Sequence, residues 1–441
     1  MQRSQRLQTV QGFISKSDAL LARKSAALNS GIAGSFMNRV LAILIGLAFA
    51  MNGFAQSGAG KEAAPGHYLF AWTGDQAKKG NDFLAVINAD PKSPAYGKLV
   101  TTLVTDQQTR QVHHTEYAMP PSRMLFANDH GAGRSFIFDL RDPLHPNLAH
   151  SFGDMAGYGH PHSYLRLPNG HVLVTFQHDH RQEGAAAGPT GGLVEIDEDG
   201  KVVRGSSSAD TTFPGALLMP YSLVVLADLD RVVSTNSSMD PMQVFGGLTY
   251  QIWRLSDLKL LKTAYFDEGP THIGQTSPEE PRRGPDGSVF VQTVACGVER
   301  ITGIETASPQ SQLVYRFPGV YCGVPTIVGH YFIQSVPAIN GLIVLDIATA
   351  NAPKEVARLK LSDAMIPHWT GWDAKTQRLV VTGYEEARLY MLKFDQVTGQ
   401  VEVDSAFRDD DGKPGFNFAD RTWPHGWKGT GVPHGVVFSL P

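Results

Sequence analysis

The stretch Pro168-Asn169-Gly170-His171-Val172-Leu173-Val174-Thr175-Phe176 decides the fold, because it shows one unit of a pattern that recurs along the chain. A Pro-Asn-Gly turn signal precedes a short apolar run rich in β-branched residues, which predicts a strand. A second run, Gly192–Asp197, follows, and the turn residues Asp197-Glu198-Asp199-Gly200-Lys201 then lead toward a third. This region therefore predicts a meander of strands rather than a helix.

Pairs of such runs recur along the chain. The first members are His67–Trp72, Arg123–Asn128, His171–Phe176, Arg231–Asn236, Ser288–Thr293, His330–Val336 and Arg378–Tyr384. The second members are Phe83–Ala89, Ser135–Leu140, Gly192–Asp197, Leu248–Leu255, Gln312–Phe317, Gly341–Ile347 and Ala387–Phe394. The fifth pair is the weakest, because no clear outer strand follows its second member.

These units have the size of propeller blades. Spread over about 370 residues, seven units take about 50 residues each. No long amphipathic helix lies between the runs, which argues against a βαβ sheet, and a β-sandwich would not explain the even spacing. The sequence therefore predicts an all-β, seven-bladed β-propeller over residues 66–441.

In a propeller, the strand that precedes each first run lines the central channel. The aligned phrases are His114-Thr115-Glu116-Tyr117, His162-Ser163-Tyr164-Leu165, Tyr221-Ser222-Leu223-Val224, a stretch near Arg282-Arg283, Val324-Pro325-Thr326, His368-Trp369-Thr370 and His434-Gly435-Val436. The first blade lacks an inner strand of its own, so we expect the tail Gly435–Leu440 to fill it. Closure of the ring by the C-terminal strand would remove exposed sheet edges.

Histidines recur at one place in this repeat. Residues that are equivalent in a circular repeat converge near its axis, so the repeat predicts a metal site made by His114, His162, His368 and His434. His113 and His160 are alternates or supporting groups. Imidazole binds copper and zinc, and the affinity of divalent ions peaks at copper. We therefore expect copper, with zinc or no metal as the alternatives.

Three other residues are expected to support these histidines. Glu116 could orient one imidazole through its second ring nitrogen, as carboxylates beside metal ligands do. Tyr221 and Trp369 are expected to line the same channel mouth. The alternative for each histidine taken singly is a solvated or core-capping residue, and the repeat is what argues against it. His178 and His180 are expected at the surface.

The composition restricts the partners. The 441 residues carry a formal net charge of -4, and no basic run interleaved with aromatics indicates nucleic acid. Residues 1–55 are interpreted as an N-terminal extension that contains an export signal at 37–55, and 56–65 as a linker. The apolar run Val40–Ala50 is short for a membrane span, so we expect periplasmic or secreted protein with no span after cleavage; the alternative is an uncleaved anchor.

The two cysteines leave their state open. Cys296 and Cys322 fall on adjacent predicted blades, so they could form one disulfide in an oxidising compartment. Two buried free thiols are the alternative, and a role as metal ligands is a third reading. The sequence shows no Gly-x-Ser-x-Gly, no phosphate loop and no His-Glu-x-x-His motif.

Several phrases resemble the selenium-binding proteins, whose bacterial members include copper-dependent methanethiol oxidases. The resemblance begins at Asp82-Phe83-Leu84-Ala85-Val86 and Asp90-Pro91-Lys92-Ser93-Pro94, and continues at His113-His114-Thr115-Glu116-Tyr117. His162 and His434 stand where the family has further histidines. Leu165 and Arg166 replace a histidine and a cysteine of the family pattern, and the family's cysteine-bearing segment after the His-His phrase is absent.

The resemblance implies a copper propeller that oxidises a small thiol. Methanethiol, dioxygen and water would give formaldehyde, hydrogen sulfide and hydrogen peroxide. The family's metal histidines would correspond to His113, His114, His162 and His434, and we expect His114, His162 and His434 to be catalytic, whereas His368 rests on the repeat alone. The alternatives are a non-catalytic metal- or protein-binding propeller of the periplasm and, last, a lactonase.

Overall fold

The structure is a computed structural model that describes residues 66–182, 189–384 and 386–440. The expected N-terminal extension, export signal and linker lie outside the described residues. Within these ranges the chain forms a seven-bladed β-propeller, as the sequence predicts. Each blade is an antiparallel meander of four strands.

The strands of blades one to seven fall into four layers from the channel outward. The innermost strands are Gly431–Phe438, Val112–Thr115, Tyr158–Arg166, Pro220–Leu226, Pro278–Arg283, Thr326–Val328 and Pro367–Asp373. The second strands are Tyr68–Asp75, Met124–Asp129, Val172–Asp179, Arg231–Asn236, Val289–Thr293, Tyr331–Val336 and Arg378–Gly383. The third strands are Asn81–Asn88, Arg134–Asp139, Gly192–Ile196, Thr249–Arg254, Gly297–Thr302, Gly341–Asp346 and Arg388–Phe394. The outer strands are Leu99–Gln108, Asn147–Phe152, Val202–Ser207, Lys259–Tyr265, Gln310–Arg316, Lys354–Lys360 and Val401–Val403.

Short elements connect or extend the blades. Phe416–Asn417 pairs with the third strand of blade seven, and Arg421–Thr422 forms a hairpin with Lys428–Gly429. The 3-10 turns of the described ranges are His130–Ala132, His180–Gln182, Ala227–Leu229, Val244–Gly246 and Pro337–Ile339. No helix in the described part of the chain has the length and apolar character needed to cross a bilayer.

The C-terminal strand closes the ring, as expected. Gly431–Phe438 pairs antiparallel with Tyr68–Asp75 and becomes the innermost strand of blade one. At the seam, His67 Nε2 lies 2.7 Å from the Asp373 carboxylate of blade seven, and its Nδ1 lies 3.0 Å from Ser439 Oγ. Both chain ends of the propeller are therefore fixed to each other and to the last blade.

Blade five corrects the sequence assignment. The run Gln312–Phe317, predicted as the second member of its pair, instead corresponds to the outer strand Gln310–Arg316. The third strand is Gly297–Thr302, whose sequence Gly-Val-Glu-Arg-Ile-Thr is only partly apolar. Glu299 is nonetheless buried there, and this buried polar residue is the reason that the strand was missed.

The cysteines form a disulfide, which resolves the alternatives left open. Cys296 is the left-handed residue (φ +64°) of the turn between the second and third strands of blade five. Cys322 lies on the segment that leads into blade six, and the two Cα atoms are 5.1 Å apart. The bond therefore joins neighbouring blades across a sequence separation of 26 residues.

A buried carboxyl in blade one gives the first prediction. Asp82 is fully buried, and neither carboxyl oxygen has a hydrogen-bond partner among the described residues. Burial, with a further contribution from nearby Asp129, raises the pKa of Asp82 to about 8. Between the unfolded pKa, about 3.9, and this value the folded protein holds a proton that the unfolded chain releases. The native state therefore loses stability as the pH rises through that window.

We expect Asp82→Asn to remove this loss. Urea unfolding measures the free energy of unfolding at pH 5 and at pH 7. Between these two pH values the wild type should lose about 2–3 kcal/mol more of this free energy than the variant, because each pH unit contributes about 1.4 kcal/mol. A stability difference that is the same at both pH values would contradict the assignment.

Candidate metal centre

The histidines lie on β-bulges at the start of the inner strands. In six blades a register shift places two inner-strand residues opposite one residue of the second strand. The pairs are His434-Gly435, His113-His114, His162-Ser163, Tyr221-Ser222, Glu279-Glu280 and His368-Trp369. A bulge re-aims side chains that a regular strand would send to opposite faces. Both members of a pair can therefore face the channel.

Polar side chains fill the gaps that the bulges leave in the ladders. Asn128 accepts a hydrogen bond from the His114 N–H (2.7 Å) and donates to the carbonyl oxygens of Pro161 (2.7 Å) and His162 (3.0 Å). Comparable bonds run from Thr175 to Tyr221, Thr235 to Glu279, Gln292 to Cys322 and Thr382 to His434, each ending on a carbonyl oxygen of the next blade. These bonds link the bulges of blades two to five in series, and they link the bulge of blade seven to that of blade one.

Three of the predicted histidines form one chain of ring contacts. His113 Nε2 lies 2.9 Å from His162 Nε2, and His113 Nδ1 lies 3.0 Å from His434 Nε2. The three imidazoles come from blades two, three and one, and all three residues are buried. Residues separated by as many as 321 positions therefore meet at the channel axis, as the repeat predicts.

The tautomers follow from one fixed acceptor. His162 Nδ1 lies 2.7 Å from the Tyr221 carbonyl oxygen, which can only accept, so Nδ1 carries the proton and Nε2 of His162 is an acceptor. His113 then donates from Nε2 and accepts at Nδ1 from His434. The chain of bonds ends at His434 Nδ1, a buried lone pair without a partner among the described residues.

Burial keeps this cluster neutral. It lowers the pKa of His113, His114, His162 and His434 well below the usual range, and the neighbouring imidazoles lower it further. His368 Nε2 is also buried, and burial lowers the pKa of His368 to about 4. Neutral imidazoles are the form that binds metal ions.

The other two predicted ligands lie beside this chain. His368 stacks edge-on against His434, with ring centroids 4.4 Å apart, and its Nε2 has no partner in the described part of the chain. His114 lies against both His113 and His162, at 4.3 and 4.4 Å between centroids. The structure thus brings all five nominated histidines into one cluster.

The supporting residues fall in different places. Tyr221 packs on His162 at 3.9 Å between centroids, and Trp369 lies edge-on to His114 at 5.2 Å, so both line the cluster as expected. His160, in the left-handed region (φ +57°), lies farther out and contacts His130 and His178.

Glu116 corrects the sequence prediction. Its carboxylate accepts hydrogen bonds from the Arg166 guanidinium (2.7 Å) and the Phe126 backbone N–H (3.0 Å) instead of orienting an imidazole. Arg166 is a long cation that reaches over the inner strands, and it outcompetes a neutral ring for the charge of Glu116. His178 and His180 are exposed, as expected.

Sequence reasoning missed three residues of the site. The buried pair Glu279-Glu280 lies beside the histidines, and His114 Nε2 is 3.6 Å from Glu280 Oε1. Burial, then the charge of Glu280, raises the pKa of Glu279 well above its ordinary value. His130 is the third residue, buried against His162 with its Nε2 3.0 Å from Gln177 Oε1.

The sequence contains a signal that places the two glutamates beside the histidines. Proline directly precedes the bulge pair in five blades: Pro161, Pro220, Pro278, Pro367 and Pro433. Because proline has no N–H, it is confined in sheets to edges, strand starts and bulges. Pro278-Glu279-Glu280 therefore belonged to the same alignment as the histidine phrases, four residues earlier than the stretch that the sequence assignment used.

The residues fit a metal ion. One ligand atom from each of His113, His114 and His162 lies within 4.8 Å of the other two. Metal–imidazole bonds of about 2.0–2.1 Å place two ligand nitrogens about 3.0–3.4 Å apart, close to the His113–His162 separation of 2.9 Å. The buried, unpaired nitrogens of His114, His368 and His434 also lack the partner that buried polar atoms normally have. An ion that prefers imidazole, such as copper or zinc, fits the donors of His113, His114 and His162.

Comparison with known proteins agrees with the fold and, over part of the chain, with the sequence resemblance. No protein-family model matches the chain. Over 143 residues, 29% of this chain, the sequence is 35% identical to methanethiol oxidase from Hyphomicrobium sp., and the match spans 31% of that protein's length.

Two solved structures share the architecture. A hypothetical selenium-binding protein from Sulfolobus tokodaii superposes with a TM-score of 0.65 at 14% identity, covering 86% of this chain and 94% of that one. The periplasmic gluconolactonase of Pseudomonas aeruginosa superposes with a TM-score of 0.57 at 13% identity, covering 85% of this chain and 99% of that one. Both likenesses show the propeller fold alone.

Buried His130 gives a prediction about acid stability. Burial, with nearby His160, lowers the pKa of His130 to about 3. Below the unfolded pKa, about 6.5, the unfolded chain takes up a proton that the folded protein refuses. The stability that is present above pH 6.5 is therefore lost as the pH falls from 6.5 toward 3.

We expect His130→Gln to reduce this acid sensitivity. Between pH 7 and pH 5, the metal-free wild type should lose about 2 kcal/mol more unfolding free energy than the variant. Urea unfolding in the presence of a chelator measures both, and His272→Gln, a change at an exposed site, is the control. Equal losses in wild type and variant would show that His130 titrates normally.

Proposed function

We propose that this chain is a divergent relative of the selenium-binding proteins and acts as an exported, copper-dependent oxidase of small thiols. Its reaction would convert methanethiol, dioxygen and water to formaldehyde, hydrogen sulfide and hydrogen peroxide. The observation that carries the proposal is the meeting of five imidazoles from blades one, two, three and seven at the channel axis. The partial match to a methanethiol oxidase supports the choice of reaction.

The metal would be held by His113, His114, His162 and His434. A bound copper ion would supply a cation that stabilises the thiolate form of the substrate and a redox couple for dioxygen. The chain prepares this site by fixing the ligands from behind: the Tyr221 carbonyl holds His162, and Ser163 Oγ lies 3.0 Å from His114 Nδ1. Such outer partners orient metal-binding imidazoles and increase their basicity.

The side chains that line the channel restrict the size of the substrate. The rings of Tyr221 and Trp369 close the sides of the cluster, and both are almost completely buried, so a bulky substrate has no room beside His114. His368 Nε2, which has no partner in the described ranges, lies on the His434 side of the cluster. These features favour a small thiol over a large one.

Export is part of the proposal. The N-terminal signal that the sequence predicts would direct the protein to the periplasm or the medium. The Cys296–Cys322 disulfide supports an oxidising compartment, since disulfides are rare where cytosolic reductants act.

The second candidate function is a non-catalytic metal-binding propeller of the periplasm. The observation that favours it is the number of imidazoles: five in one cluster exceed what a catalytic site with an open coordination position needs. Oxygen uptake with methanethiol by the copper-loaded protein separates the two functions. A lactonase ranks last, because the channel presents imidazoles where oxygen ligands for calcium would be required.

We expect His114→Ala and His434→Ala each to lower bound copper at least about tenfold and to abolish thiol-dependent peroxide formation, since each removes a ligand. Elemental analysis of the protein purified from the exporting compartment, together with peroxide and formaldehyde assays, measures both properties. His272→Ala, at an exposed site, is the matched control. Full copper content and activity in either ligand variant would refute the proposed centre.

A further inference from the structure

Two buried atoms face each other beside the histidine cluster. His114 Nε2 and Glu280 Oε1 are 3.6 Å apart, and both side chains are completely excluded from solvent. Neither atom has a hydrogen-bond partner among the described residues. Buried polar atoms are almost always paired, so a pair of unpaired atoms aimed at one point calls for an explanation.

The rest of the Glu280 carboxylate is firmly held. Its Oε2 accepts hydrogen bonds from the Tyr117 hydroxyl (2.6 Å), Ser222 Oγ (3.1 Å) and the Arg282 guanidinium (3.0 Å). Tyr117 is in turn stacked on Trp369 at 5.3 Å between centroids, and the Arg282 guanidinium lies 4.0 Å above the Tyr117 ring. One oxygen of Glu280 is thus fixed by three donors while the other is left open toward His114.

His114 is held in the same way. Its Nδ1 lies 3.0 Å from Ser163 Oγ, and its ring lies edge-on to Trp369. The neighbouring strand comes close because it carries Gly435, where a Cβ atom would lie 2.6 Å from the Thr115 backbone nitrogen. The ring cannot turn away from Glu280 without breaking these contacts, so the approach of the two atoms is imposed by the fold.

The separation suits a shared cation better than a direct bond. An N–H···O hydrogen bond spans about 2.7–3.2 Å, which is shorter than the gap. Two donors that bind one ion at about 2.0–2.2 Å in a tetrahedral site lie about 3.3–3.6 Å apart, a range that includes the observed gap. A divalent ion among neutral imidazoles also needs a nearby negative charge in a buried site, and Glu280 supplies a carboxylate there.

We infer that Glu280 is a direct oxygen ligand of the metal, next to His114, so that the centre is a mixed imidazole–carboxylate site rather than an all-histidine one. The inference rests on the proposed metal centre but not on the proposed thiol chemistry. It adds a carboxylate from blade five to the imidazoles from blades one to three.

The test compares three variants of the full exported chain. Glu280→Gln removes the charge, whereas Glu280→Asp keeps the charge beside Arg282 and withdraws the oxygens from His114 by about one carbon–carbon bond, ~1.5 Å. Glu299→Gln is the matched control, since Glu299 is another fully buried glutamate of blade five with unpartnered oxygens, two strands away from the channel. Folding of each metal-free variant is checked by its unfolding temperature.

Competition titrations with Cu(II) and Zn(II) measure affinity, and the electron paramagnetic resonance spectrum of the Cu(II) form reports the ligand set. A ligand role requires both Glu280 variants to weaken binding about tenfold or more and to change the copper hyperfine splitting, while Glu299→Gln matches the wild type. Wild-type affinity and spectrum in a folded Glu280→Asp protein would overturn the inference, because a merely electrostatic role survives that change.

The same experiment separates this inference from the proposed function. Glu280-dependent metal binding without peroxide formation from methanethiol would remove the oxidase proposal and leave the ligand assignment standing. Normal thiol oxidation by a folded Glu280→Asp protein with wild-type metal affinity would remove the ligand assignment and leave the oxidase proposal standing.

Discussion

The hydrogen bonds that join one bulge to the next are the interactions on which the rest of this structure depends. Each bulge interrupts a ladder near the channel, where backbone groups are buried and an unpaired one costs free energy. Polar side chains replace the missing backbone hydrogen bonds, and they also reach the neighbouring blade. These side chains belong to Asn128, Thr175 and Thr382. The ring can therefore carry irregular backbone at its centre and still hold the side chains there in fixed positions.

The candidate metal centre brings together buried polar groups, each of which would cost free energy if it were buried alone. Neutral imidazoles tolerate burial better than charged ones, and the low pKa values of the histidines show that the fold selects the neutral form. Beside them lies the ion pair of Glu280 and Arg282, and the hydroxyls of Tyr117 and Ser222 complete its hydrogen-bond network. Imidazoles on one side and a fixed carboxylate on the other make a site that is organised before any ion binds.

Much of the fold and part of the site could be predicted from the sequence. Alternating apolar runs and turn residues predict the blades, since strand geometry depends on local patterning, and the missing first inner strand predicts closure by the C-terminus. The pattern failed at Gly297–Thr302, where buried Glu299 and half-buried Arg300 hide the strand. It failed also at Glu116, whose partner Arg166 belongs to the next blade and has no local signal.

By itself the sequence determined the repeat, and through the repeat which histidines are equivalent, because equivalence in a closed ring depends on spacing along the chain. Only the tertiary structure decided which atoms face each other: the His162–His113–His434 chain and the opposition of His114 to Glu280. Those distances depend on the bulges and on the angle between blades, and a displacement of about one ångström, which no sequence pattern encodes, separates a metal site from a set of unrelated buried side chains.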